Sequence, residues 1–171
     1  RGAMLRIVLA PCSPFSVTGD LMRETLSMAR TYDVQLHTHL AETRDEQDYC
    51  QDKFGQQPLN YVEDLGWSGS DIWFAHMVHV SAPDIAIVAR NGCGVSHCPS
   101  SNMRLASGIA PVQLYRESGV NLGLGVDGSS SNDSSHMLGE ARMATLMARL
   151  AQAPGLASRP DTPMMTARES L

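Results

Sequence analysis

Four cysteines in 171 residues, with no Cys-x-x-Cys spacing, leave no thiolate metal module and no disulfide framework to read. Cys12, Cys50, Cys93 and Cys98 read as reduced thiols, which points to the cytoplasm. Cys93 and Cys98 flank one strand-like segment and read as small buried side chains rather than ligands. Positive charge is scarce as well. Thirteen Lys and Arg face eighteen Asp and Glu, a net charge of −5, which weighs against nucleic acid or an anionic membrane as partner. No stretch approaches the ~20 apolar residues of a membrane-spanning helix, and no leader-peptide pattern is visible. A Gly-x-Gly-x-x-Gly turn is also lacking. The glycines of Gly123-Leu-Gly125-Val-Asp-Gly128 fall inside an apolar strand-like run, so no dinucleotide site is expected.

What is present is a regular alternation of strand and helix signals. Arg6–Ala10 reads as a strand ended by Pro11. Leu21, Thr25, Met28 and Tyr32 recur at helical spacing, widened by Met22, Leu26 and Ala29. A strand around residues 34–40 follows, then helices at about 45–54 and 59–65. Residues 72–80 read as a strand. Ser81-Ala-Pro-Asp84 opens a helix that stops near Gly92. A strand at 94–99, a helix at 111–118, a strand at 120–128 and a long helix at about 133–150 complete the pattern. Residues 153–163 read as a loop, and Thr166–Leu171 as the first turn of another helix.

Such an order implies a parallel sheet with crossover helices, an α/β fold. Five strands cannot close a (β/α)8 barrel. The expectation is therefore a partial TIM barrel, about strands 4 to 8, forming the C-terminal portion of a longer chain over residues 1–171, with strands 1–3 and any β-sandwich domain absent.

Polar residues gather at the C-terminal ends of the strands, where a barrel places its chemistry. In His37-Thr-His39-Leu-Ala-Glu42 the period of two puts His37 and His39 on one face and Leu36, Thr38 and Leu40 on the other. Further on come Phe74-Ala-His76-Met-Val-His79 and Ser96-His97-Cys-Pro, and last the strand ending in Asp127. There Gly123, Gly125 and Asp127 share a face with room for something to approach closely. Imidazoles and carboxylates at strand ends suit a metal-assisted hydrolase: neutral His and Asp hold the ion and Glu moves a proton.

These segments, in this order, resemble consecutive motifs of the amidohydrolase superfamily: His39-Leu-Ala-Glu42, Phe74-Ala-His76, Ser96-His-Cys-Pro-Ser-Ser-Asn102 with Ser107-Gly-Ile-Ala-Pro111, and Gly125-Val-Asp127-Gly128. The branch they resemble contains guanine deaminases, adenosylhomocysteine deaminases, and atrazine and triazine hydrolases. Leu9-Ala-Pro-Cys-Ser-Pro-Phe-Ser-Val17 brings it nearest to the 8-oxoguanine deaminases. The resemblance implies a purine-type base as substrate, 8-oxoguanine going to urate and ammonia. A triazine hydrolase is the alternative, and an inactive or binding-only member a third reading.

The resemblance further implies His39, His76 and Asp127 as ligands to one divalent metal, zinc first and iron second, with Glu42, His76 and Asp127 catalytic. Cys12, Ser13, His97 and Asn102 would meet the substrate. His37 would lie deeper as support, and His79 and His136 would be structural. The partner would be a small heterocyclic base, the full-length protein a homo-oligomer. The superfamily's first His-x-His, from strand 1, has no counterpart here, so the 171-residue polypeptide alone is expected to bind metal poorly and to be inactive.

Overall fold

The computed structural model describes residues 4–153 and 164–171. Its centre is one parallel sheet of β1 (Val8–Leu9), β2 (Gln35–Leu40), β3 (Ile72–His76), β4 (Gly94–His97) and β5 (Asn121–Leu124). The spatial order is the sequence order, β1-β2-β3-β4-β5. A doubly wound sheet reverses its order at a switch point. This one does not, and its monotonic run is that of a barrel wall. Helices α1 (Gly19–Tyr32), α2 (Arg44–Phe54), α3 (Pro58–Asp64), α4 (Ala82–Asn91), α5 (Pro99–Arg104), α6 (Val112–Glu117) and α7 (Met137–Ala151) occupy the connections, α7 following β5, and Arg168–Ser170 forms a 3-10 turn. No helix among the described residues is long and apolar enough to cross a membrane.

The core lies between sheet and helices. Leu36, Leu40, Ile72, Phe74 and Val95 point into it from the strands, each 2% exposed or less. Helix α1 contributes Met22, Leu26 and Ala29, while Leu21, Met28 and Tyr32 of the expected stripe face outward. Caps fix the helix starts. Thr18 and Thr43 accept from the third residue beyond, and Ser81 and Asp84 form a reciprocal capping box.

The largest departures from the sequence reading are in β5, which ends at Leu124 instead of running to Gly128 and leaves Asp127 beyond the strand, and in β3, α5 and α7. β3 stops at His76 instead of running to Val80, because His76 and Met77 adopt positive φ (70° and 47°) and turn the chain. Helix α5 was not foreseen. Helix α7 starts at Met137, not at Asp133: the Asn132 amide oxygen accepts from the Ser134 N–H and hydroxyl, holding a local turn, and His136 becomes the N-cap. The loop expected at 153–163 lies, apart from Ala153, outside the described residues.

Candidate functional site

Three of the strand ends that carry polar residues leave the sheet through left-handed backbone on residues other than glycine. Ala41 after β2 has φ 51°, His76 at the end of β3 has φ 70°, and Asp127 beyond β5 has φ 63°. Each such conformation costs on the order of 1–3 kcal/mol and survives only where the surroundings impose it. Here the β2 and β3 exits brace one another. Met77 N–H donates to Leu40 O at 3.0 Å, and the N–H groups of Val78 and His79 both donate to Ala41 O at 2.9 Å. The buried Tyr115 hydroxyl donates to Met77 O from α6.

Backbone and side-chain acceptors decide how the histidines are presented. His39 Nδ1 lies 2.6 Å from the Cys12 carbonyl oxygen. A carbonyl only accepts, so Nδ1 carries the proton and Nε2 keeps its lone pair. His76 Nδ1 lies 2.9 Å from Asn102 Oδ1, which leaves Nε2 of a fully buried ring free in the same way. That nitrogen faces Glu42 Oε2 at 3.6 Å and Asp127 Oδ2 at 3.9 Å. One ligand atom from each of His39, His76 and Asp127 falls within 4.8 Å of the others. Two imidazole nitrogens with available lone pairs and one carboxylate form a donor set that fits a divalent cation such as zinc.

Asp127 is held tightly. Burial alone would raise its carboxyl pKa, but donors from Ser101, Gly128 and Ser131 hold it below the usual carboxylate range. Ser101 Oγ and Ser131 Oγ lie 2.6 and 3.0 Å from Oδ2, and Gly128 N 2.8 Å from Oδ1. Glu42 is half-buried, its Oε1 accepting a long hydrogen bond of 3.4 Å from Ser107 Oγ. Behind it, the buried Glu46 accepts from the Glu42 N–H at 2.9 Å, and burial pushes its carboxyl up to about 7.

A cavity of about 240 Å³ opens above these groups, lined by Cys12 and Ser13 together with His39, Glu42, Glu46, His76 and Asp127. A larger one of about 480 Å³ lies at the outer edge of β1, among Leu5, Ile7, Leu9 and Val34. Its mostly apolar wall offers one carboxylate, Asp33, and no histidine, so the chemistry belongs to the smaller cavity.

The structure thus gathers His39, Glu42, His76 and Asp127, with Cys12 and Ser13 at the rim. It does not bring His97 or Asn102 to the cavity wall. Alternation places His97 on the core face of β4 beside Val95, where burial pushes its imidazole down to about 4 and leaves both ring nitrogens without a partner. Asn102 is fully buried and spends its amide oxygen on His76. His37 stacks on Trp73 below His39, at ring separations of 5.2 and 5.5 Å. His79 ties its Nε2 to the Ser107 carbonyl at 2.8 Å, and so stands behind the serine that reaches Glu42.

Gly125 is required for a reason other than ligand approach: a Cβ there would come within 2.7 Å of Ser96 Oγ and 2.9 Å of Cys98 Sγ. Burial and the Asp127 charge push the Cys98 thiol up to about 12, far from thiolate chemistry. Sequence reasoning missed Ser101, Ser107, Ser131 and Glu46. Ser101 lies next to the singled-out Asn102 and Ser131 four residues after Asp127, but only the folded chain shows where their hydroxyls go.

The amidohydrolase family model matches residues 1–169. The 8-oxoguanine deaminase of Pseudomonas aeruginosa is 52% identical over 149 residues, which is 87% of this chain and 33% of that protein. An isoxanthopterin deaminase from an unknown prokaryotic organism is 43% identical over 86% of this chain and 31% of its own length. Among solved structures, the zinc complex of atrazine chlorohydrolase from Arthrobacter aurescens superposes with a TM-score of 0.88 at 32% identity, covering 98% of this chain and 36% of that one. The chain therefore spans about a third of the length of these relatives. Its five-stranded parallel sheet is part of a TIM barrel, and the chain belongs to the amidohydrolase family.

Proposed function

We propose that this amidohydrolase chain supplies the ligand and proton-handling wall of a hydrolytic deaminase acting on a purine-type base, with 8-oxoguanine converted to urate and ammonia. The observation that carries the reading is the convergence of His39, His76 and Asp127 within 4.8 Å, with the Glu42 carboxylate 3.6 Å from His76. The 52% identity to a protein named for that reaction supports the choice of base.

The reaction adds water to the ring carbon bearing the exocyclic amine, protonates the adjacent ring nitrogen, breaks the C–N bond and releases ammonia. A divalent cation held by His39, His76 and Asp127, zinc being the first candidate, would supply a water acidified from a pKa of ~15.7 to about 7. Asp127 takes the proton from the attacking water. Fixed by the three donors around it, Asp127 passes that proton to the exocyclic amine, which leaves as ammonia. Glu42 sits across His76 from Asp127 and delivers a proton to the ring nitrogen. His76, with Nδ1–H fixed on the Asn102 amide oxygen, keeps its Nε2 lone pair directed at the cation site and so would help hold the ion where water is activated. Cys12 and Ser13 border the substrate at the cavity rim.

The test is ammonia release measured in parallel from 8-oxoguanine, guanine and an s-triazine, using the protein at its full natural length. Turnover of 8-oxoguanine at least about tenfold above the others, by kcat/KM, is expected. Preferred displacement of chloride or an alkylamine from the triazine would replace this reading with that of a triazine hydrolase.

A further inference from the structure

We propose that Glu140, on α7, is the positioning residue for Asp127, acting through two serines, one on α5 and one in the loop before α7. The inference rests on the reading of Asp127 as ligand and proton acceptor. Asp127 lies three residues beyond the last paired residue of β5, so no sheet ladder orients it. What orients it is the pair of hydroxyls on Oδ2: Ser101 Oγ at 2.6 Å from the start of α5, and Ser131 Oγ at 3.0 Å from the loop before α7. The same Oδ2 faces His76 Nε2.

The chain neighbours of those two serines meet at a single carboxylate. Ser100 donates its N–H to Glu140 Oε2 at 3.1 Å and its hydroxyl to Oε1 at 2.6 Å, and Asn132 Nδ2 donates to Oε1 at 2.8 Å. Glu140 is 1% exposed, and among the described residues no Lys or Arg pairs with it. A buried carboxylate satisfied only by neutral donors is a costly way to join two segments, and an apolar contact would join them as well. What it achieves that an apolar contact would not is a fixed direction. It sets the rotation of the first turn of α5 and of the loop before α7, and with them both hydroxyls on Asp127. Outer partners of this kind typically govern metal affinity by 10- to 100-fold.

The experiment compares Glu140→Gln, the pair Ser101→Ala with Ser131→Ala, and the triple variant in the full-length protein. Zinc retention after dialysis against a weak chelator, kcat/KM for 8-oxoguanine and thermal melting are the readouts. Glu140→Gln keeps the Oε1 contacts and loses the acceptor for Ser100 N–H, and is expected to weaken zinc retention about tenfold. The triple variant is expected to fall no further than the serine pair, because the glutamate acts through those serines. Should Glu140→Gln fail to fold, Ser100→Ala, which removes one hydroxyl from the same link, is expected to weaken zinc retention severalfold. Full additivity, or zinc retention unchanged in folded Glu140→Gln or Ser100→Ala, overturns the proposal. Asp127→Ala separates the two levels: if it too leaves zinc retention unchanged, the reading of the metal site fails; if it alone lowers retention, only the role of Glu140 fails.

Discussion

The two faces of this sheet are built on opposite terms. One face, turned to the helices, is continuous apolar packing: Leu36, Leu40, Ile72, Phe74 and Val95, nearly all solvent removed. The other carries His37, His39, Trp73 and Ser96, partly open, and ends in left-handed turns on Ala41, His76 and Asp127. The first face gains free energy by burial; the second holds conformations that cost it. Rigidity on one side is what allows strain and unpaired lone pairs to be kept on the other.

The sharpest break in that comparison is at Asp127. Replacing it with Gly relieves the positive φ and removes the carboxylate, so turnover is expected to fall on the order of 10⁴-fold while the melting temperature holds or rises. Steady-state kinetics beside a thermal melt checks this. Phe74→Ala does the reverse: with its side chain fully buried in the core, it is expected to cost about 3–5 kcal/mol of stability, read by urea unfolding, with the residual folded protein still active.

Glu46, on α2, is buried behind Glu42 at the cavity wall. Its carboxyl is raised from 4.5 to about 7 by burial, so the folded state binds its proton more tightly than the unfolded chain does. The sign follows: the contribution of Glu46 to stability is fully present below about pH 4.5 and is lost as pH rises through about 7, by on the order of 3 kcal/mol. Melting curves across that window are expected to slope downward, and Glu46→Gln to flatten the slope. The smallest effect is expected at Asp33, the exposed left-handed residue after α1 (φ 50°). Asp33→Gly should stabilise by up to about 1 kcal/mol with kinetics untouched, since strain there serves no site.

Legibility in the sequence divides along the same line. The strands were readable because alternation is a local signal, as in Leu36, Thr38 and Leu40 against His37 and His39. The helix start at Ser81 was readable through its cap. Helix α5 was not, because Pro99-Ser-Ser-Asn102 has the composition of a turn and only six residues. The start of α7 was misplaced because Asn132 bonds locally. At the site, His39, Glu42, His76 and Asp127 announced themselves as polar residues ending apolar strands. His97 gave the same signal and proved to face the core, one position of parity away from Ser96. Ser131 and Glu140 gave no signal, and Ser101 only its place in a motif, since a serine near a functional aspartate acquires meaning only when α5, β5 and α7 are brought together.

The claim on which the rest depends is that Glu42 moves the proton while His39, His76 and Asp127 hold the cation. Glu42→Gln in the full-length protein, assayed for ammonia release from 8-oxoguanine with zinc content measured on the same sample, tests it most directly. The account predicts an undiminished zinc content with turnover lowered by about 10²–10⁴-fold. Unchanged turnover with zinc in place would contradict it.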